Sequence, residues 1–507
     1  MNKILTLFVA VATALCTMAQ VSLEYEAGVT INAGDGNFAP YYIASGRGGT
    51  VTQQYSSLVN AAISHRMDTT CRLSWGVGVE LWGGYASSTD YMQFNDGNGW
   101  STHKLHPARA WVQQAYVVGK YRSLFAVIGQ KQQASRIVNP LLGSGDMVMS
   151  GNARPQPGIK AGFIDFQNIP LTNGWVQIAG EVGYYRMTDK NWLEDHYNRY
   201  NSFLTTGYWM NYKNIYFRTN PDKPLSVTVG MQAACQFGGK NERRENGVVT
   251  ATVDQKADFE AFFKSLIPSS GGNNTGDKYY EGNHLGTWDL AAEYRLPSGK
   301  TLRAYYQSPW EDGSGIGKLN GFDGVWGIEY KANHRGVVSG AVVEYIDLTN
   351  QSGPIHWAPG DFENTPLTDE ATGADDYYNN YAFNGYQALG MSIGSPFVMS
   401  PLYNTDGYMR FTDNMIRGFH CGIMGDLSDC VSYRLLASYR KSWGTPQFPR
   451  VKPADDTSMM VEAQYAPKSI PGLGFKAQFA FDHGSLYGNN TGALLCVSYH
   501  GNLTLRK

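Results

Sequence analysis

The sequence predicts an all-β fold, a transmembrane antiparallel β-barrel of about 18 strands with long external loops and a short helical element that plugs or covers the barrel. Apolar and polar residues alternate with a period of two in many runs, each about 9–13 residues long, the length of a tilted strand that crosses a bilayer. The chain has 58 glycines and 33 tyrosines but only 17% charged residues, as in large β proteins rich in turns. A secreted β-sandwich also has alternating strands, but the continuous array without a linker favours the barrel.

The alternation is clearest at 225–237, where Leu225, Val227 and Val229 are apolar and Ser226 and Thr228 are polar. One face of this strand is therefore apolar and the other is polar. The same pattern recurs in four further segments, at 73–81, 431–440, 473–482 and 493–506.

Charged residues within these strands are expected to face the lumen, because a basic side chain facing lipid near the midplane costs about 2–4 kcal/mol. Since both signs occur, we expect salt bridges inside the barrel rather than an open channel selective for one charge. The residues are Arg72, Glu80, Glu181, Arg303, Glu329, Arg434 and Glu462.

Short turns alternate with long connections along the chain, as expected for periplasmic turns and external loops. The longest predicted connections lie at 87–108, 132–157, 239–283 and 349–385. Segment 396–414 is too irregular to assign. The remaining pattern gives roughly nineteen strands, whereas two periplasmic termini need an even number, so one strand is missing or false, and we expect the error in 396–414 or in the first segment, 22–32.

Residues 1–19 are typical of a secretory signal peptide, with Lys3, an apolar core at 4–15 and a small residue pattern at Thr17–Ala19. Residues 20–507 are then expected to form a single barrel domain in the outer membrane of a Gram-negative bacterium, in contact with its lipid. No later window is long and apolar enough for a membrane-spanning helix.

Charge and cysteine usage exclude several classes of function. The net charge of −2 provides no electrostatic footprint for nucleic acid. The cysteines beyond residue 19 are odd in number and scattered, so we expect neither a disulfide framework nor a metal site. We predict a monomer without cofactor or metal. These cysteines are Cys71, Cys235, Cys421, Cys430 and Cys496.

No catalytic constellation is evident. The sequence Gly390–Gly394 has the pattern G-x-S-x-G around Ser392, but a nucleophile elbow needs a strand–turn–helix context, and Pro396 follows in a strand-like segment. The histidines are dispersed without H-E-x-x-H. Adjacent loop carboxylates such as Asp375 and Asp376 are usually solvated. We therefore predict that the protein is not an enzyme.

Aromatic residues interleaved with Asp, Asn and Arg in the long loops favour a carbohydrate-facing surface. Sugars stack their apolar faces on aromatic rings while their hydroxyls pair with carboxylates and amides. The alternative is that these rings pack the loops together or form the membrane-interface girdle. The polysaccharide-binding candidates in these loops are Trp192, His196, Tyr197, Trp357, Tyr377 and Tyr378.

The Gly- and Pro-rich segment 143–163 is expected to end an external loop and to enter a strand near 158–166. A phosphate site would need a helix after the glycines, so a structural role is favoured. Asn152 and Arg154 are expected to tie the loop to the barrel mouth through hydrogen bonds, and both are also candidates for polysaccharide contact.

Segment 254–267 predicts a helix, because Phe259, Phe262, Phe263 and Leu266 follow helical spacing and Pro268 ends the pattern. We expect it to serve as the lid or plug of the barrel; membrane insertion and partner binding are the alternatives.

Several segments resemble the capsule assembly protein Wzi family. The most specific is Ser144–Met147 with Ser150–Gly158. The others lie at 169–175, 377–396, 439–445 and 482–488. The resemblance implies an eighteen-strand outer-membrane barrel with helical elements, which acts as a surface lectin that anchors capsular polysaccharide and has no enzymatic activity.

Three functions follow as hypotheses. The first is an outer-membrane lectin-like protein that binds and anchors capsular or extracellular polysaccharide during capsule assembly. The second is a porin or uptake channel, which the mixed charges and long loops disfavour. The third is an outer-membrane hydrolase with Ser392 as nucleophile.

Overall fold

The computed structural model describes residues 20–95, 97–267, 282–311, 313–353, 356–357, 371–372 and 374–506. Its 18 antiparallel strands form a closed barrel. The first strand pairs with the last, from Gln20 opposite Arg506 to Gly34 opposite Gly492. The predicted fold class is thus confirmed. Residues 1–19, the predicted signal peptide, lie outside the described residues.

The barrel strands follow one another in chain order, and each pairs with the next. Strand β6 is followed by a short piece, Gln167–Asn168, that pairs with the same neighbour, β7. The bounds are β1 Gln20–Phe38, β2 Gln53–His65, β3 Leu73–Ala86, β4 Ala110–Tyr121, β5 Leu124–Gln130, β6 Gly158–Phe163, β7 Val176–Arg186, β8 Trp209–Thr219, β9 Leu225–Phe237, β10 Asn283–Arg295, β11 Thr301–Trp310, β12 Gly324–Lys331, β13 Gly340–Asp347, β14 Ile416–Asp426, β15 Val431–Gly444, β16 Pro449–Tyr465, β17 Leu473–Gly484 and β18 Asn490–Arg506.

The period-two pattern separates the two faces of the wall as the sequence predicts. On β9, Val229 is exposed on the outer face, whereas Gln232 is buried on the lumen face. Exposed apolar side chains such as Ile31, Val59 and Ile128 continue the outer face on other strands. An apolar outer surface with a polar interior is typical of a barrel that spans a membrane.

The odd strand count predicted from the sequence came from one false strand at 386–395, not from 396–414 or from the first segment, which is part of β1. Segment 386–395 contains only two-residue strands, Gln387–Ala388 and Met391–Ser392, which pair with each other in a small hairpin. The chain from 348 to 415 is therefore a single connection between β13 and β14. Apolar and polar residues alternate at 386–388 and 391–393 although nearly the whole segment is buried, so periodicity did not distinguish it from a wall strand.

Helices are short in the described ranges. They are α1 Tyr41–Ala44, α2 Lys190–His196, α3 Phe259–Lys264 and α4 Gly313–Ile316, with a 3₁₀ turn at Pro401–Tyr403. Within these ranges, no helix has the length and apolar character needed to span a bilayer. Two hairpins stand on the external loops, Thr89–Asn95 with Gly99–Leu105 and Gly239–Glu245 with Val248–Gln255; Ser202–Thr206 pairs with the second.

Three buried segments occupy the lumen, at 39–52, 131–157 and 374–415. The Tyr41 amide donates to the lumen-facing Asp482 carboxylate at 2.9 Å. The Arg303 guanidinium donates to the carbonyl of Ile137. The Tyr386 hydroxyl donates to the carbonyl of Val148 at 2.9 Å, which joins the second segment to the third.

The prediction that segment 254–267 is the plug is wrong. Its helix α3 packs Phe262 against Tyr184, Trp209 and Phe237, which share the outer face of β7, β8 and β9 with exposed residues such as Val182. The helix thus lies outside the barrel. Its apolar spacing indicated that it packs on something, but an apolar helix face fits an outer wall as well as a lumen.

Most of the predicted lumen charges pair across neighbouring strands. Arg303 lies opposite Glu329 and binds it at 3.2 Å, and Arg434 lies opposite Glu462 and binds it at 2.7 Å. Glu181 is bound by Lys160 from β6 at 3.2 Å, and Glu80 accepts from Trp82 and Gln114. The prediction for Arg72 is wrong, because it lies in the turn before β3, exposed, and donates to the Tyr121 hydroxyl.

Candidate functional site

Two predicted site residues, Asn152 and Arg154, lie in the second lumen segment. Asn152 is fully buried, accepts from the Gly46 amide at 3.0 Å and donates to the Ser392 carbonyl at 3.0 Å. It therefore joins all three lumen segments. The Arg154 guanidinium lies over the Trp111 ring at 4.7 Å, and burial lowers its pKa to about 10. Asn152 thus binds the other two lumen segments rather than the barrel wall, and Arg154 contacts the wall at Trp111 through a cation–π contact instead of the expected hydrogen bond.

Trp192, His196 and Tyr197 belong to α2 and its C-cap. The Trp192 ring stacks on His196 at 4.0 Å between ring centres, and His196 meets the edge of Tyr91 at 4.7 Å. His196 and Tyr197 are buried and Trp192 is half-buried. Burial lowers the pKa of His196 to about 4, so the ring is neutral at physiological pH. This group packs α2 against the hairpin at 89–105.

Tyr377 and Tyr378 are buried in the third lumen segment. The Tyr377 hydroxyl donates to Asp323 at 3.1 Å, and the Tyr378 hydroxyl donates to the Met147 carbonyl at 2.7 Å. Trp357 lies in the short strand His356–Trp357, and its side chain is outside the described residues.

Several of the predicted residues converge on the same inner hairpin, 386–395. Asn152 donates to its Ser392 carbonyl, Trp192 packs against its Gly390, and the Tyr378 hydroxyl accepts from the Ser395 amide beside it. Polysaccharide binding by the eight candidate residues stays a prediction, since those whose side chains are described are buried or half-buried and held by contacts within the protein.

An open cleft of about 540 Å³ lies at the external mouth, above these buried residues. We call it the mouth cleft. It is built by the ends of β10 and β11 with parts of three external connections. Carboxamides, carboxylates, one guanidinium and aromatic rings line it: Asn201, Asn283, Glu311, Asp375, Asp376, Asn379, Asn380, Tyr381, Asn384, Tyr408, Arg410 and Phe448.

Side-chain hydrogen bonds fix the floor of the mouth cleft. Asn380 donates to Asn283 at 3.1 Å, which joins the third lumen segment to β10. Asn379 donates to Asp376 at 2.9 Å, and its oxygen accepts from the Phe411 amide at 2.9 Å. Burial raises the pKa of Asp376, although hydrogen bonds from the carboxamides oppose the shift. The floor is therefore a preformed polar surface.

Arg410 forms one edge of the mouth cleft. Its guanidinium lies 4.1 Å from the centre of the Phe448 ring and 5.0 Å from that of Tyr408. Phe448 is 60% exposed and Tyr381 is 49% exposed. The stacking orders a planar cation beside two rings, and Phe448 and Tyr381 are exposed next to the hydrogen-bonding groups.

A second aromatic group stands beside the cleft on the external hairpin at 89–105. Trp100, Phe94 and Tyr200 pack with ring centres 4.8 to 5.7 Å apart, and Trp100 is 43% exposed. We call this group the aromatic platform. The Tyr200 hydroxyl donates to Asn246 at 3.0 Å. Tyr200 directly precedes Asn201, a residue of the mouth cleft, so the two surfaces adjoin.

These surfaces combine the groups that recognise sugars: exposed ring faces for stacking, and carboxamides and carboxylates for hydroxyl groups. Sequence reasoning pointed to the part of the chain around Tyr377 and Tyr378, whose neighbours line the cleft, but missed Asn283, Arg410 and Phe448. Those three are far apart in sequence and carry no local motif. The irregularity of 396–414 was the available signal, because a segment that fits no strand pattern is a loop.

The Ser392 environment is unlike a nucleophile elbow. Ser392 is fully buried on the inner hairpin, and its hydroxyl oxygen has no hydrogen-bond partner among the described residues. A catalytic serine needs a base within hydrogen-bond reach and access to substrate.

No protein-family model matches the sequence, and no curated protein matches it significantly. Among solved structures, the chain is similar to Wzi of Escherichia coli, an outer-membrane protein involved in group 1 capsule assembly and a carbohydrate-binding β-barrel. The TM-score is 0.56 at 12% identity, over 97% of this chain and 86% of that one.

The chain is also similar to OccAB2 of Acinetobacter baumannii, with a TM-score of 0.47 at 9% identity over 95% of this chain and 98% of that one. OccD3 of Pseudomonas aeruginosa has a TM-score of 0.45 at 9% identity, over 96% and 91%. At such identities the likeness to Wzi concerns the fold alone. The fold is that of a closed antiparallel β-barrel of the kind found in outer-membrane proteins.

Proposed function

We propose that the protein is a surface lectin of the Wzi type, which binds capsular or extracellular polysaccharide in the mouth cleft and anchors it to the cell during capsule assembly. The observation that carries this proposal is the chemistry of the mouth cleft. Exposed aromatic rings stand there beside a fixed array of carboxamides and carboxylates. The carbohydrate binding of the similarly folded Wzi protein supports it.

The polar floor supports selectivity for a polyol. Asn283, Asn379 and Asn380 are already positioned by hydrogen bonds within the protein, so little conformational entropy is lost when a hydroxyl group binds. Tyr381 and Phe448 then supply faces on which a sugar ring stacks.

The aromatic platform supports binding of a polymer rather than of a single sugar. A chain that occupies the mouth cleft can continue past Asn201 onto Tyr200 and Trp100, since the two surfaces adjoin. Contacts with several sugar units would add affinity without any deep pocket.

Buried segments inside the lumen favour an anchor over a porin or uptake channel. The segments at 39–52, 131–157 and 374–415 are held by hydrogen bonds to the wall and to one another. The buried Ser392 hydroxyl is a further reason to propose no enzymatic activity.

The remaining parts of the proposal follow from the sequence. Residues 1–19 act as a signal peptide, and residues 20–507 act as one monomeric barrel domain in the outer membrane, without cofactor or metal. N-terminal sequencing of the protein from outer membranes is expected to start near Gln20; an intact Met1 would contradict the signal peptide.

The test is binding of the cell's own surface polysaccharide to purified protein. We expect Tyr381→Ala to weaken binding about two- to tenfold, because an aromatic contact contributes about 0.5–1.5 kcal/mol. Tyr294→Ala is the matched control, since Tyr294 is 46% exposed on the outer wall, near the opposite end of the barrel. Trp100→Ala tests the aromatic platform in the same way.

Absence of polysaccharide binding by the wild-type protein would overturn the proposal. Deletion of the gene is expected to release capsule into the medium while polymer is still exported. A deletion strain that retains its capsule would contradict the anchoring role even if the protein binds polysaccharide.

A further inference from the structure

The outer wall beneath α3 differs from the rest of the barrel surface. On β8 the outward residues Ile215 and Phe217 are exposed and apolar, as a lipid-facing wall requires. Nearer the external end of the same strand, the outward residues are Asn211 and Lys213. A lysine and a carboxamide on a bare lipid-facing wall are costly.

Helix α3 covers this polar part of the wall. The Lys213 ammonium donates to the Asn211 side chain at 2.9 Å and to the Ser265 carbonyl at 2.6 Å. Ser265 is the C-cap of α3, and a cation is favourable near the last carbonyls of a helix. The polar wall residues thus bind the helix instead of facing the bilayer.

The inner face of α3 is fixed by one aromatic side chain. Phe262 lies with its ring centre 5.1 Å from Tyr184, 5.1 Å from Trp209 and 5.0 Å from Phe237. The Tyr184 hydroxyl also donates to the Phe262 carbonyl at 2.7 Å. These contacts hold the helix against the wall and set which of its faces points away.

The face that points away is apolar. Phe259 and Phe263 lie four residues apart on α3 and are 82% and 66% exposed, and Ile267, which follows the C-cap Ser265, is 71% exposed. We call these three residues the apolar row. This row continues the exposed apolar surface formed by Ile215 and Val229 on the neighbouring wall.

We propose that α3 is an interfacial helix of the outer leaflet, with Phe259, Phe263 and Ile267 inserted among lipid acyl chains. Continuity with the lipid-facing wall identifies the occupant as lipid. The Glu260–Lys264 ion pair, 2.9 Å long, flanks the apolar row and is suited to the headgroup level. The helix thereby covers a polar part of the barrel wall and presents its own apolar side to lipid.

The test places p-benzoylphenylalanine at 263 in the full-length barrel, in vesicles of phosphatidylethanolamine and phosphatidylglycerol, and measures lipid adducts after illumination. Position 229 on the bare wall is the positive control. Position 248, at the tip of an external hairpin and 62% exposed in the native chain, is the negative control. We expect the adduct yield at 263 to be within about twofold of that at 229, since both face acyl chains, with none at 248.

Two outcomes would overturn the proposal. If position 229 reacts with lipid and position 263 does not, the helix lies outside the bilayer. If position 263 forms a covalent dimer of the barrel instead, the apolar row is a contact between two copies. The reaction at 229 shows in each case that the barrel is folded and inserted.

Discussion

At the scale of single residues, Asp146 connects the second lumen segment to the barrel wall. One carboxylate oxygen accepts from the side chains of Gln232 at 3.0 Å and Gln307 at 3.1 Å. The other accepts from the amides of Val148 at 2.8 Å and Met149 at 3.0 Å. The carboxylate thus orders its own turn while it binds two strands.

Replacement of Asp146 by alanine is expected to lower the stability of the folded barrel by about 1–3 kcal/mol, because buried donors lose their acceptor. The measurement is the midpoint of thermal unfolding in a fixed detergent. Asp165→Ala in an exposed turn is the control and is expected to change stability by less than about 0.5 kcal/mol. Equal effects would contradict a special role for Asp146.

Two titratable residues at the ends of α2 have opposite pKa shifts. Burial raises the pKa of Asp189 from 3.8 to about 6, and burial lowers the pKa of His196 from 6.5 to about 4. The stabilising contribution of Asp189 is present below pH 3.8 and is lost as pH rises through about 6. That of His196 is present above pH 6.5 and is lost as pH falls toward 4. The two dependences oppose each other.

Replacing one residue at a time is expected to separate the pH dependence due to Asp189 from that due to His196. In Asp189→Asn the lowered pKa of His196 remains without the raised pKa of Asp189, so protection of the α2 amides from hydrogen exchange should fall between pH 7 and 4. In His196→Phe the raised pKa of Asp189 remains, so protection should rise over the same range. Hydrogen exchange of α2, corrected for the intrinsic rate at each pH, is the measurement. The same trend in both variants would show that other groups control the helix.

At the scale of elements, ion pairs between neighbouring strands or turns contribute differently to stability according to how deeply they are buried. Glu462 on β16 is buried and binds Arg434 on β15 at 2.7 Å. Asp429 and Lys468 form a 2.5 Å pair on periplasmic turns, with side chains 80% and 68% exposed. The two pairs lie near the same end of the barrel but in different surroundings.

Glu462→Ala is expected to destabilise the barrel by about 1–3 kcal/mol, because Arg434, Gln464 and Gln478 lose their buried acceptor. Asp429→Ala is expected to cost at most about 1 kcal/mol, since solvent screens the exposed pair. Denaturant unfolding in identical vesicles measures both. A small effect of Glu462→Ala would mean that water enters this part of the lumen.

Sequence patterns predicted the wall strands well, because contact with lipid on one face requires alternation with a period of two. Strand β9 has the bounds that its alternation predicts, 225–237. The helix predicted at 254–267 forms only at Phe259–Lys264. Its docking surface was wrongly predicted, because helical spacing specifies a face but not the partner of that face.

At the scale of the whole molecule, the filled lumen predicts how the protein behaves in a bilayer. Because three segments are bound inside the barrel, we expect no discrete conductance steps from wild-type protein in planar bilayers. An open porin inserted under the same conditions is the positive control. Reproducible steps from the wild-type protein would favour the alternative of an uptake channel.

The sequence by itself determined the barrel, its approximate strand number and the direction of most wall side chains. The physical reason is local: a strand between lipid and a polar interior must alternate with a period of two, and this pattern is visible within a dozen or so residues.

The tertiary structure alone decided which loops enter the lumen, where α3 docks and which residues form the mouth cleft. Asn380 meets Asn283 across 97 positions of sequence, and Asn152 meets Ser392 across 240. Such contacts are not visible as a pattern in the sequence, since each partner is an ordinary polar residue on its own. Their identity depends on the closed wall that brings the external connections together.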